Sequence, residues 1–302
     1  MKTENWSNFK FEKIFAINLP ERTDHRDGLI LATAVSNIEV EFVDGVHGEK
    51  IPTKALPPNF NENLNTGSLG AWRAHINAIR RVVETGASTA LIIEDDVDWD
   101  IRLRDILDNF ATASRSLNNL STSEKVAFRD LPAVEIHGSP YGNDWDVLWL
   151  GHCGMELPHS GGLVIMEGDD TVPEVRYLKS FEVTAPSPLK PYPQHTRVFS
   201  KVGDATCSLA YAVSQKGARA LLNDLGLNRL VSPFDNALRN WCTGPQAERG
   251  AHVCFGVLPQ LFDHYRRYVQ NLTIGSSIVL SRDMTLKMVV NYMILLYIIS
   301  SG

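Results

Sequence analysis

The sequence predicts an α/β fold, a mostly parallel but mixed sheet with helices on both faces. Three observations predict it. Short apolar runs alternate along the chain with segments whose apolar residues recur at spacings of three and four, the pattern of strands alternating with amphipathic helices. The runs stop at asparagine, glycine or acidic residues, where strand ends and turns are expected. No internal repeat or flexible linker interrupts the 302 residues, and a 44% hydrophobic, 21% charged content suits a sizeable core. One domain over residues 1–280 is expected, followed by an apolar tail at 281–302.

KIFAINL, Lys13 to Leu19, reads as the first strand and ends in a Pro-Glu-Arg turn. Thr23 offers an N-cap to a helix running to Asn37, with Leu29, Ile30 and Ala34 inward. VEFVDGV alternates into a second strand that stops at Gly45. Ser68 to Glu84 is the clearest helix: Leu69, Trp72, Ile76, Ile79 and Val83 share one stripe, and Gly86 supplies the stop. Ala90 to Ile93 is a short buried strand. A helix from near Asp100 buries Leu103, Ile106, Leu107 and Phe110. WDVLWLG, Trp145 to Gly151, is a strand, followed by loops that include the Pro-rich stretch Ala185 to Gln194. CSLAYAVS then feeds the helix QKGARALLNDLG, a further helix spans Ser232 to Trp241, and HVCFGVLP closes the sheet.

Lys and Arg total 29 against 35 acids, a net charge of −6, so no basic field for nucleic acid is present. The first fifteen residues lack the apolar core of a secretory signal, which points to the cytoplasm and to reduced thiols at Cys153, Cys207, Cys242 and Cys254. Cys242, His252 and Cys254 fit no common zinc spacing. The sequons at Asn5, Asn119 and Asn271 matter only if the chain enters the secretory route. The apolar tail MVVNYMILLYIISSG is shorter than the ~20 residues of a spanning helix, so membrane association is expected only if that tail anchors.

One stretch raises a chemical question. After Thr89 to Ile93, TALIIEDDVDWD places Glu94, Asp95, Asp96, Asp98 and Asp100 within seven positions. Packing such charge is costly unless something positive sits among it. Ligands in open α/β sheets bind at the carboxyl ends of strands, where Glu94, Asp95 and Asp96 fall. Oxygen-rich clusters there suit Mg²⁺ or Mn²⁺, which complete their coordination with substrate phosphate oxygens. The plainer reading is a solvated strand end whose acids cap the next helix, which suits Asp98 and Asp100. An EF-hand is excluded, because Ile101 replaces the required Gly and Leu107 the terminal Glu. A D-x-D phosphotransferase nucleophile at Asp96 has the spacing but finds Asp100 where Thr or Val is expected. Neither G-x-x-x-x-G-K-[ST] nor G-x-G-x-x-G is present.

Several segments together resemble glycosyltransferase family 25. INLPERTDHR is similar to that family's Asn-Leu-x-x-Arg-x-x-Arg start. GSLGAWRAHINAIRRVVETG resembles its Gly-x-x-Gly-Cys-x-x-Ser-His helix, with Ala71 and Ala74 for the usual Cys and Ser. ALIIEDDV resembles its Glu-Asp-Asp strand end, and WDVLWLG its Trp-Asp-x-x-x-Leu-Gly strand. AYAVSQKGARALL and SPFDNAL are similar to its later segments, and the order is kept from about residue 14 to 260.

The resemblance implies a GT-A-type fold, a UDP-hexose donor, Mn²⁺ or Mg²⁺ as cofactor, and inverting transfer of galactose or glucose to a glycan or protein hydroxyl. It implies that Asp96 ligates the metal, with Glu94 and His264 assisting. Asn18, Arg22, Arg26, Gly70, His75, Glu94 and Asp95 would bind the nucleotide sugar; Gly67 and Gly70 would let the backbone approach the donor. Arg266 and Arg267 would serve the diphosphate. An inverting transferase needs a general base, usually a carboxylate; Asp235 matches the family's Pro-x-Asp position, with Asp204 and Asp146 in reserve. The alternatives are an inactive UDP-sugar-binding module of the same fold and a phosphate-ester hydrolase with Asp96 as nucleophile.

Overall fold

Alternation along the strands decides the architecture. In β1 (Lys13–Asn18) Phe15 joins one apolar cluster while Ile14 and Ala16 join another, and the run Ala90 to Ile93 divides the same way. Side chains on a strand point to opposite faces, so a run apolar at every position must be covered twice. The computed structural model describes residues 9–121, 123–134, 136, 138–178, 185–245 and 251–265, all within the unit Met1–Tyr265. The apolar tail at 281–302, Arg266, Arg267 and the sequons at Asn5 and Asn271 lie outside the described residues.

In chain order, β1 leads to α1 (Thr23–Ser36), β2 (Glu41–Asp44), β3 (Asn59–Phe60) and α2 (Thr66–Thr85). Then come β4 (Thr89–Glu94), β5 (Val97–Trp99), α3 (Leu103–Leu117), β6 (Lys125–Ala127), β7 (Val147–Gly151), β8 (Gly154–Met155) and β9 (Leu163–Met166). The rest are β10 (Arg197–Lys201), β11 (Ala205–Thr206), β12 (Ala210–Ser214), α4 (Gln215–Leu221), β13 (Arg229–Leu230), α5 (Phe234–Thr243), β14 (Cys254–Leu258) and β15 (Phe262–His264).

The main sheet runs β2-β1-β4-β12-β7-β14-β10-β9-β6. The pairs β1–β2, β1–β4, β7–β14 and β6–β9 are parallel, whereas β12 lies antiparallel to both β4 and β7, and β10 to both β14 and β9. The sheet is therefore evenly mixed rather than mostly parallel. Helices α2, α4 and α5 cover one face through Trp72, Ile79, Leu221, Leu238 and Trp241. Helices α1 and α3 cover the other through Leu29, Leu103, Ile106, Leu107 and Phe110.

Three helix details depart from expectation. Thr23 opens α1 rather than capping it, the N-cap position being Arg22 without a side-chain cap bond. Only Leu29 and Thr33 of α1 are buried, and Ile30 is 44% exposed, because the helix touches the sheet along a one-residue-wide stripe. Helix α2 is capped by Asn65, whose side chain accepts from the Ser68 amide at 2.8 Å, and stops at Gly86 with φ of 69°. The helix expected at Gln215–Gly226 is α-helical to Leu221 and continues as a π-helix over Leu222–Asn228.

The cysteines are paired, not free. Cys153 bonds Cys207 and Cys242 bonds Cys254, with Cα atoms 5.4 and 5.6 Å apart, separations that a disulfide spans without backbone movement. The expectation of reduced thiols is corrected, and Cys242–His252–Cys254 is no metal site: His252 stacks on Trp241 and bonds its carbonyl.

Candidate functional site

Strand β4 carries Glu94 out of the core at its carboxyl end. Asp95 and Asp96 turn, and Val97 starts β5, which pairs antiparallel with β15. That pairing sets His264 opposite Val97, and the Tyr265 amide donates to the Asp96 carbonyl at 2.6 Å. The His264 imidazole thereby stands over the acidic turn, with Nδ1 3.2 Å from Asp96 Oδ2.

The three consecutive acids face three different partners. Glu94 Oε1 accepts from Ser208 Oγ at 2.9 Å and lies 3.4 Å from His75 Nε2. Burial alone would raise the Glu94 carboxyl, but the hydrogen bond and charge of His75, the hydrogen bond of Ser208 and the charge of His264 outweigh it and hold the pKa below the ordinary value. Asp95 Oδ2 accepts from Asn18 Nδ2 at 2.7 Å, and Oδ1 lies 3.0 Å from His25 Nδ1. Asp96 meets His264. The acids are thus tolerated as neighbours because histidines and amides divide them, which answers part of the question their density posed.

His75 is 3% exposed and held on every side. Its Nδ1 is 3.1 Å from the Tyr211 hydroxyl, its Nε2 3.2 Å from Ser208 Oγ, and its ring stacks on Phe234 at 4.2 Å. Burial and the Glu94 charge push the Tyr211 hydroxyl well up, so it stays protonated. Both ring nitrogens of His75 and one ring face are thus taken up by protein groups, and its link to the acidic turn is Glu94.

The remaining candidates divide. Asn18 is 2% exposed; its Nδ2 also reaches the Arg22 carbonyl, and its buried Oδ1 finds no protein partner. Arg22 spreads its guanidinium over Asp24 at 3.0 Å in two bonds, with Asp95 and Asp96 close enough to favour its charge. Arg26 lies over the Phe42 ring at 4.0 Å. Gly70 is a packing residue: a Cβ there would sit 2.3 Å from the Val46 carbonyl oxygen, so its lack of a side chain lets α2 meet that loop. Gly67 has only Asn65 Oδ1 nearby, at 3.3 Å.

Asp235 opens α5, and its carboxylate bridges outward. Oδ2 accepts from the Cys207 amide at 3.0 Å and Thr206 Oγ1 at 3.2 Å, and Oδ1 from the Asn236 amide. Asp204 is more than half exposed with Arg239 Nε at 3.9 Å. Asp146 sits at the opposite, amino end of β7, where it accepts from the Val253 amide at 2.9 Å and pairs with Lys216. It is a structural buttress and no candidate base.

Neither outer acid caps α3: its N-cap is Arg102 without a side-chain cap bond, Asp100 accepts from the Arg102 amide just ahead of the helix, and Asp98 belongs to β5 and faces Asp263 across the ladder. Burial, and then Asp263, raise the Asp98 carboxyl.

Sequence reasoning did not name His25, Ser208, Tyr211 or Phe234. His25 lies within the quoted INLPERTDHR segment; Ser208 carries no local signal. The grouping of ligand-type atoms found among the described residues is Cys153, Cys207 and His264, within 4.8 Å of one another. With both sulfurs in one disulfide it offers a single imidazole. Of the remaining donors, the Asp96 carboxylate and the His264 imidazole stand together, a pair that suits a divalent cation taking few protein ligands, while Glu94 turns to Ser208 and His75.

Residues 11–134 match the family model described as glycosyltransferase family 25 (LPS biosynthesis protein). That segment is similar in sequence to family 25. It contains β1, α2 and the acidic turn, so the family-25 resemblance rests on the elements that carry Asn18, His75 and Glu94 to Asp96. Procollagen galactosyltransferase 1-B of Xenopus laevis is 25% identical over 240 residues, covering 76% of this chain and 30% of that protein. Procollagen galactosyltransferase 2 of Mus musculus is 29% identical over 159 residues, 49% of this chain and 22% of its own length. A probable inactive glycosyltransferase 25 family member 3 of Rattus norvegicus is 23% identical over 158 residues, 45% and 28% of the two chains. The chain therefore spans under a third of the length of these relatives. Among the described residues no helix is long and apolar enough to cross a membrane.

Proposed function

We propose that this chain is a metal-dependent, inverting GT-A glycosyltransferase that moves a hexose, by analogy with its relatives galactose, from a UDP-sugar to an acceptor hydroxyl. The observation that carries the reading is the Asp96–His264 pair, 3.2 Å apart at the carboxyl end of β4, next in the chain to Asp95, which Asn18 holds. Asp96 and His264 would hold Mn²⁺, which when bound neutralises the departing diphosphate. Asn18 offers its buried, unsatisfied Oδ1 to a hydroxyl or N–H of the nucleoside. Arg22 reaches the diphosphate by giving up Asp24. His75 and Ser208 keep Glu94 ionised and fixed.

Asp235 accepts the proton of the acceptor hydroxyl, whose oxygen attacks the anomeric carbon as the bond to UDP breaks. The electron pair of that bond leaves with UDP. Three hydrogen bonds already orient the Asp235 carboxylate. The two disulfides support folding in an oxidising compartment rather than the cytoplasm.

A second reading, a donor-binding module without turnover, is favoured by one specific observation: a relative of similar identity is named probable inactive. Calorimetry of UDP with and without Mn²⁺, joined to a UDP-release assay across UDP-hexoses, tests both. The expected outcome is Mn²⁺-coupled UDP binding that Asp96→Ala abolishes with the fold intact, and transfer that Asp235→Asn removes while binding survives. Coupled binding without turnover on any donor or acceptor supports the inactive module. UDP and Mn²⁺ that ignore each other overturn both.

A further inference from the structure

The loop joining β11 to β12 touches nearly every candidate group, yet no motif marks it. Thr206 Oγ1 and the Cys207 amide both donate to Asp235 Oδ2. Ser208 Oγ donates to Glu94 and contacts His75 Nε2, and the Leu209 carbonyl accepts the Glu94 amide at 2.9 Å. Four consecutive residues thus fix the proposed base, a proposed metal-site carboxylate and the histidine behind it.

The loop's shape is not a relaxed one. Cys207 has φ of 64°, a left-handed conformation that a residue with a Cβ adopts only under constraint. What holds it is the disulfide to Cys153, together with the Cys153 amide bonded to the Thr206 carbonyl at 2.8 Å and the Cys207 carbonyl accepting from Trp149 Nε1 at 3.1 Å. Cys153 Sγ in turn lies 3.4 Å from His264 Nε2, on the edge of the ring away from Asp96. One covalent bond therefore abuts the proposed metal ligand at one end and, through the Cys207 amide, the proposed base at the other.

We propose that the Cys153–Cys207 disulfide is a positioning brace for this site, so that its reduction by a dithiol switches metal and donor binding off. The proposal rests on the metal-dependent reading above. In the reductive step a thiolate of the dithiol attacks one sulfur, giving a mixed disulfide and a free cysteine thiolate; its second thiolate displaces the other cysteine. The products are two cysteine thiols and the cyclic oxidised dithiol. The Cys207 turn can then relax, withdrawing its amide from Asp235 and shifting Ser208 from Glu94. Both sulfurs of this bridge are half-buried, whereas Cys242 and Cys254 are 6% and 3% exposed, so mild dithiol reaches the brace first.

The test compares the oxidised chain, the dithiol-treated chain, Cys153→Ser/Cys207→Ser and, as control, Cys242→Ser/Cys254→Ser, each by Mn²⁺ titration and by hydrogen exchange of the peptide spanning residues 204–210. Expected are an at least tenfold weaker Mn²⁺ affinity and faster exchange in the first double variant and after mild reduction, both reversed on reoxidation of the wild type. The control keeps its Mn²⁺ affinity within twofold even if its melting temperature falls. Unchanged Mn²⁺ affinity and unchanged exchange in Cys153→Ser/Cys207→Ser overturn the brace. If the oxidised wild type binds no Mn²⁺, the metal reading fails instead, and the exchange comparison alone decides whether the disulfide orders the loop.

Discussion

Ser208 is the residue through which the site's charge pattern is most easily probed. Its hydroxyl serves a carboxylate and an imidazole that are 114 and 133 residues away in sequence. Ser208→Ala leaves Glu94 and the buried His75 each short of a partner, and unsatisfied buried groups cost about 1–3 kcal/mol. The expected outcome is a lower urea midpoint together with weaker UDP binding, read by chemical denaturation and calorimetry. A midpoint equal to the wild type's would show that Ser208 bears no part of the network. No periodicity pointed to this residue, because a hydrogen bond between distant segments leaves no pattern in the local spacing. His75 was visible only through the family resemblance, and its burial was not: the ring of Phe234 that encloses it lies far away in sequence.

At the scale of elements, what was legible followed from period and punctuation. Helix α2 emerged within two residues of its expected start and one of its end, because Asn65, the apolar stripe and Gly86 agree. Strand β5 did not emerge, since three residues after an acidic turn carry no strand signal until β15 is known to lie beside them. The disulfides were equally illegible: four cysteines allow three pairings, and only the fold chooses. Helix α2 also supplies a discriminating substitution. If Gly70 serves packing, Gly70→Ala drives a methyl against the Val46 carbonyl and destabilises by about 1–3 kcal/mol. UDP affinity of the folded fraction then stays at the wild-type level, and thermal melts with parallel calorimetry separate this from a donor-contact role, which loses affinity as well.

For the whole molecule, acid sensitivity should centre away from the site. Arg197 is 2% exposed and pairs with Asp169 at 2.6 Å, while Thr171 completes the cluster. Burial alone would raise the Asp169 carboxyl, but the Arg197 charge and the Thr171 and Arg197 hydrogen bonds outweigh it and hold the pKa below the ordinary value. A depressed folded-state pKa contributes stability that is present above the unfolded value near pH 4 and is lost as pH falls through the folded one. Asp169→Asn is therefore expected to cost about 3–5 kcal/mol near neutrality, as breaking a buried pair does. Its stability curve should approach that of the wild type at the acid end, as pH-dependent urea unfolding would show. The pairing of β5 with β15 has a consequence for biosynthesis. The imidazole that faces Asp96 follows it by 168 residues, so a nascent chain that has released the family-matched stretch to residue 134 still lacks Ser208, Asp235 and His264. The acidic turn therefore stays without its imidazole until synthesis has passed residue 264, and a fragment ending at residue 134 would carry the acids without the partner that faces Asp96.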